Sequence, residues 1–134
     1  MIGILIMTHE VVGQAYKMLA NHFFDEIPKN ISILGVNSDE PLENISNRAK
    51  TIIEQLPQDG VLILTDVYGA TPCNVARGLL NLSTPTIVLT GLNAAMLVKT
   101  LQYANQHTDL NQFAQLIKQA GQDGIILINK ETAE

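Results

Sequence analysis

The chain has 134 residues, with 8 basic against 13 acidic side chains and a formal net charge of -5 at pH 7. That balance supplies no basic patch of the kind that nucleic-acid backbones and anionic membranes require. A single cysteine excludes an intrachain disulfide and every cysteine-based metal cluster. One domain is expected over residues 1–134, because a chain of this size buries about two-thirds of its unfolded surface and needs no disulfide or structural metal for a core.

Met1 leads directly into Ile2-Gly3-Ile4-Leu5-Ile6-Met7 with no basic segment ahead of it, unlike a secretory signal. The run is far too short to span a bilayer. A soluble, cytoplasmic protein without direct membrane insertion is therefore expected. The run itself reads as a first strand. From Val11 to Phe24, Val12, Ala15, Tyr16, Leu19 and Phe23 recur at helical spacing. Ile31 to Val36 supplies a second strand. Pro41 then opens a helix carrying Ile45, Ala49, Ile52, Ile53 and Leu56, with Asp39 and Glu40 at its positive end. Pro57 and Gly60 stop it.

Val61 to Thr65 is the third strand and, like the first, is nearly continuous in apolar residues, as a strand covered on both faces must be. Thr71-Pro72 predicts a helix start, with Thr71 as the cap and Pro72 first in the helix. Val75, Ala76, Leu79 and Leu80 follow. Thr86 to Thr90 is a fourth strand, Asn93 caps a helix through Leu97, Val98 and Leu101, and Asp109 with Gln112 forms a capping box before Phe113, Leu116 and Ile117. Gly121 and Gly124 close that helix, and Ile125 to Ile128 forms a short last strand. The alternation predicts an α/β fold: a mostly parallel open sheet with helices on both faces. Two helices precede the final strand, so it is either antiparallel or part of a dimer partner's sheet.

In such a sheet the functional site lies beyond the carboxyl ends of the strands. Thr8-His9-Glu10 follows the first strand, Asp66 the third, and Asn93 the fourth. His9 is the strongest candidate, since neutral imidazole is a good nucleophile once its second nitrogen is fixed by a partner. Asp66 either supplies that partner, as the orienting acid does in hydrolases, or caps the turn toward Thr71. Gly69-Ala70-Thr71-Pro72 is either an ordinary capped turn or a helix end whose amides accept a phosphate or carboxylate. Neither G-x-x-x-x-G-K-[ST] nor G-x-G-x-x-G occurs, and H-E-x-x-H is absent because Gly13 stands where the second histidine is needed. His22 and His107 read as structural or solvent-exposed. Cys73 sits where a helix end can lower a thiol pKa, but has no C-x-x-C partner and packs inward equally well. Tyr68 either walls the pocket, helps a partner dock or is an ordinary half-buried tyrosine.

Taken together, Gly3-Ile4-Leu5-Ile6-Met7-Thr8-His9, the long motif from Val61 to Ala76 and Gly91-Leu92-Asn93-Ala94-Ala95-Met96-Leu97 resemble the mannose-type IIA component of the bacterial phosphoenolpyruvate-dependent sugar phosphotransferase system. The resemblance spans almost the whole chain. It implies that His9 accepts a phosphoryl group from the phosphocarrier HPr and passes it to a IIB component. It further implies that Asp66 orients His9, that Thr8, Gly69, Ala70 and Thr71 surround the phosphoryl group, and that no cofactor is needed. A homodimer with an exchanged or packed C-terminal strand, Gly124 to Asn129, is implied as well. The family generally has glycine directly after the active histidine, whereas this chain has Glu10. Two other readings stand beside the relay. One is a regulatory module in which phosphorylated His9 switches binding to a regulatory partner; the other is a small hydrolase built on His9 and Asp66.

Overall fold

Strand β1, Gly3–His9, is buried along all but its last residue, as its unbroken apolar run requires. In the computed structural model, which describes residues 1–132, it is followed by α1 (Glu10–Phe23), β2 (Ile31–Val36), α2 (Leu42–Gln55), β3 (Val61–Thr65) and α3 (Thr71–Gly78). Then come β4 (Thr86–Leu89), α4 (Ala94–Tyr103) and α5 (Leu110–Asp123). The strands form one parallel sheet in the order β2-β1-β3-β4. β1 runs on to His9 instead of ending near Met7, because Thr8 and His9 still pair with Gly35 and Val36.

Alternate side chains of the central strands feed two cores. Ile4, Ile6, Leu62 and Leu64 pack with Ala20 of α1, Met96, Leu97 and Leu101 of α4, and Phe113 and Ile117 of α5. Leu5, Met7, Val61 and Ile63 turn the other way, onto Ile45, Ala49 and Ile53 of α2 and Ala76 of α3. Helices therefore cover both faces, and the period-2 alternation of strand side chains supplies each core. Asn93 caps α4 by accepting from the Met96 amide at 3.0 Å, and Asp109 caps α5 by accepting from the Gln112 amide at 2.9 Å.

One local expectation needs correction. Ala70, not Thr71, precedes α3; Thr71 is already helical, Pro72 is second, and no side chain caps this end. Ile125 to Ile128 forms no strand among the described residues, and its side chains are 72–80% exposed. A four-residue apolar run has no reason to hold strand geometry without a neighbour to bond. Its exposure fits a total accessible area of 7908 Å², about 1,000 Å² above the roughly 6,900 Å² expected for a monomer of this mass. Among the described residues, no helix is long and apolar enough to cross a membrane.

Candidate functional site

β2 and β3 lie on opposite sides of β1, so the chain reverses its direction of winding there. The crevice at such a switch point, beyond the strand carboxyl ends, is where an open α/β sheet holds its ligand. His9 ends β1 and Asp66 directly follows β3 at that crevice.

The pair is in direct contact. His9 Nδ1 lies 2.7 Å from Asp66 Oδ2, and the His9 amide donates to the same oxygen at 3.1 Å. The other oxygen, Oδ1, accepts from the Val67 amide at 3.0 Å. The aspartate side chain is only 6% exposed, whereas the histidine side chain is 42% exposed. A buried acid thus grips a ring whose far side remains open to solvent. Burial pushes the Asp66 carboxyl up, but the His9 ring and amide hydrogen bonds and the nearby imidazole outweigh it and hold the pKa below the ordinary carboxylate value. An ionised Asp66 bonded at Nδ1 leaves Nε2 as the ring nitrogen with a free lone pair.

The segment after Asp66 folds into a turn in which the Ala70 amide donates to the Val67 carbonyl at 3.3 Å. Gly69 has φ +83 in that turn, a conformation that strains any residue with a Cβ. Asn74 Nδ2 donates to the Gly69 carbonyl at 3.0 Å and braces the turn against α3. Gly69 and Thr71 are exposed, and with no side-chain cap the opening amides of α3 remain available to an anion.

Thr8 is fully buried, and its hydroxyl donates to the His9 carbonyl at 3.0 Å. It supports the strand end from beneath, because side chains alternate faces along β1. Asn93 is also committed: besides capping α4, its Nδ2 donates to the Gly121 carbonyl at 3.1 Å. Cys73 is buried, as its inward packing required. Tyr68, read as a pocket wall, a docking residue or half-buried, is 74% exposed beside the site. His22 meets Phe23 edge-on at 5.2 Å in the last turn of α1, and His107 lies against Phe113 at 5.0 Å ahead of α5.

Tyr16 is a neighbour that the reading of the sequence assigned only to the helix stripe. Its hydroxyl donates to the Leu92 carbonyl at 2.9 Å, and burial and the charge of Asp66 both push its pKa up. The Leu92 amide in turn donates to the Thr65 carbonyl at 2.9 Å, so α1, the loop after β4 and the end of β3 are tied together behind Asp66. The available signal was its position seven residues beyond His9, two helical turns along one face.

A family model described as EIIA-man, PTS system fructose IIA component, matches residues 3–118. The sorbose-specific EIIA component of the PTS system from Lacticaseibacillus casei is 24% identical over 115 residues, covering 86% of this chain and 83% of the relative. Among solved structures, phosphotransferase system component EIIA from Streptococcus agalactiae superposes with a TM-score of 0.85 at 19% identity, covering 94% of this chain and 96% of that one. The PTS IIA protein associated with the fucose utilization operon of Streptococcus pneumoniae gives a TM-score of 0.80 at 25% identity, covering 97% and 95%. A match over this much of the chain leaves one conclusion: the chain belongs to the EIIA-man family and is a IIA-type phosphotransferase component of the PTS.

Proposed function

We propose that His9 carries the phosphoryl group in this IIA component, receiving it from the phosphohistidine of HPr and handing it to a IIB component. The observation that supports the reading most directly is the 2.7 Å contact between His9 Nδ1 and a nearly buried Asp66, on a ring that is itself open to solvent. With Nδ1 engaged, Nε2 attacks phosphorus in line. The new N–P bond forms as the donor's N–P bond breaks, and the donor nitrogen keeps the electron pair. Positive charge develops on the His9 ring, and the ionised Asp66 beside it stabilises that charge without taking the proton.

The amides of Gly69 and Thr71, on either side of an Ala70 amide already bonded to the Val67 carbonyl, are suited to the phosphoryl oxygens. They offer hydrogen bonds and the positive end of α3 rather than a cluster of cations. Such a cradle stabilises the group in transit without gripping it, as a relay requires. Residues 1–134 act as one IIA domain in this scheme.

The family resemblance also implies a homodimer. β4 lies at the sheet edge with all four residues only partly buried, while Ile125 to Ile128 is apolar and exposed. These two features complement each other across a two-fold axis: the C-terminal segment of one protomer would pair along β4 of its partner in a homodimer. Burying that run is worth about 1.5–3 kcal/mol per large side chain.

The test is phosphorylation by phosphoenolpyruvate, enzyme I and HPr, with acid-labile phosphate located by mass spectrometry and a IIB component then added. Label is expected on His9, with onward transfer to IIB and none in folded His9→Ala. Asp66→Asn should keep its fold and accept phosphate about a hundredfold more slowly, the cost of a misoriented reacting atom. Label retained by His9→Ala would overturn the assignment. Stable label on His9 that changes affinity for another protein, without reaching IIB, would favour the regulatory switch.

A further inference from the structure

Glu10 follows His9 immediately and opens α1, a position from which a carboxylate can reach an incoming phosphoryl group. Its side chain lies elsewhere. Gln14, one turn further on, donates through Nε2 to Glu10 Oε1 at 2.9 Å. The carboxylate rests over Gly35 of β2, where a Cβ would overlap it and stand 3.1 Å from the Glu10 Cα. All three of the atoms nearest to that Cβ position belong to Glu10. Gly35 is not among the glycines with positive φ, so its backbone makes no demand that another residue could not meet. What glycine provides at 35 is space, and Glu10 occupies it.

The seat lies on the flank of β1 opposite Asp66, because β2 and β3 border β1 on different sides. A cleft of about 580 Å³ opens there, lined in part by Glu10, Gln14, Lys17, Lys29 and Gly35. The two lysines make that flank electrostatically favourable for the carboxylate.

We infer that Gly35 and Gln14 are positioning residues for phosphoryl transfer: they hold the Glu10 carboxylate over β2 and keep its charge from the phosphoryl group on His9. The inference rests on the reading of His9 as the phosphoryl acceptor. A side chain at 35 evicts the carboxylate from this seat, and any position nearer His9 sets it against a doubly charged phosphoryl group. Bringing a unit charge a few ångströms nearer to such a group at a solvated surface slows its arrival by roughly fivefold.

The test measures initial rates of His9 phosphorylation by HPr at low salt for the wild type, Gly35→Ala, Glu10→Gln and the double variant. Glu10→Gln alone should stay within about twofold of wild type, since the charge it removes is already held away. Gly35→Ala should be roughly fivefold slower. The double variant should return to within about twofold of wild type, because glutamine keeps the shape and loses the charge. The Gly35→Ala deficit should also shrink at about 0.5 M salt. Gln14→Ala, which leaves the strand untouched, gives a second route: slower transfer that Glu10→Gln again relieves. Wild-type rates in both Gly35→Ala and Gln14→Ala overturn the inference, as does a deficit that Glu10→Gln fails to relieve, since that would be displaced backbone rather than displaced charge. Absence of label on wild-type His9 would be a different failure, that of the underlying assignment.

Discussion

β3 and β4 are hydrogen-bonded neighbours in one parallel sheet, yet they meet opposite conditions. All five residues of β3 are buried, while all four of β4 are only partly so. Their side chains are matched in register, Ile63 beside Val88, so the contrast does not come from composition. It comes from place: β3 lies between two strands, and β4 lies at the edge. Within this chain the β1–β3 centre carries the candidate site, whereas β4 keeps an open edge. An edge strand of this kind is either covered by a partner or exposed to unwanted pairing.

Substituting the matched pair puts that contrast to its most demanding test. Ile63→Ala should lower stability by about 2–5 kcal/mol, through lost transfer energy and a cavity that the two-sided packing cannot close. Val88→Ala should cost about 1 kcal/mol or less in the isolated chain, where the edge relaxes into solvent. Urea unfolding reads both. Equal losses would mean that β4 is as well covered as β3.

A smaller effect is expected at the C-terminal segment. Replacing both Ile126 and Ile128 by aspartate should weaken the proposed self-association about a hundredfold, about 2.7 kcal/mol, with the folded monomer otherwise intact. Sedimentation equilibrium checks this directly. A wild-type chain that remains monomeric at high concentration would break the link between the bare edge and the exposed run.

The smallest effect concerns the β1–β3 centre and depends on pH. Asp66 ionises below its ordinary value of 3.8 in the folded chain, so the unfolded chain binds more protons there in the acid range. Its stabilising contribution is therefore present in full above the ordinary carboxylate range and is lost as pH falls through the folded value. Unfolding midpoints between about pH 6 and pH 3 should fall more steeply in the wild type than in Asp66→Asn. Parallel curves would show that the His9–Asp66 contact adds nothing to folding.

Most of the fold was legible because hydrophobic period carries it. Continuous runs at Ile4 to Met7 and Val61 to Leu64 marked strands covered twice, and Asn93 and Asp109 marked helix starts through oxygens that do accept amide hydrogens. The error at Thr71 arose because threonine and proline favour several neighbouring positions at a helix start, and only the backbone chooses among them. The burial of Thr8 was hidden for a related reason. Its neighbour His9 faces the crevice, but the next residue back along a strand points to the opposite face. Tyr16 carried only its spacing from His9, and Gly35 carried no local signal, since their roles depend on Asp66, Leu92 and Glu10, which lie on other elements.

By itself the sequence determined the strands, the helices between them and the presence of a histidine and an aspartate at strand ends. These follow from short-range periodicity and from the residue types that a chain terminus of a strand or helix can satisfy. Only the tertiary structure decided that the ends of β1 and β3 are neighbours, that Nδ1 and not Nε2 meets Asp66, and that Glu10 rests over Gly35. Those outcomes depend on which strand pairs with which, and long-range pairing is chosen by the whole core rather than by any segment of it.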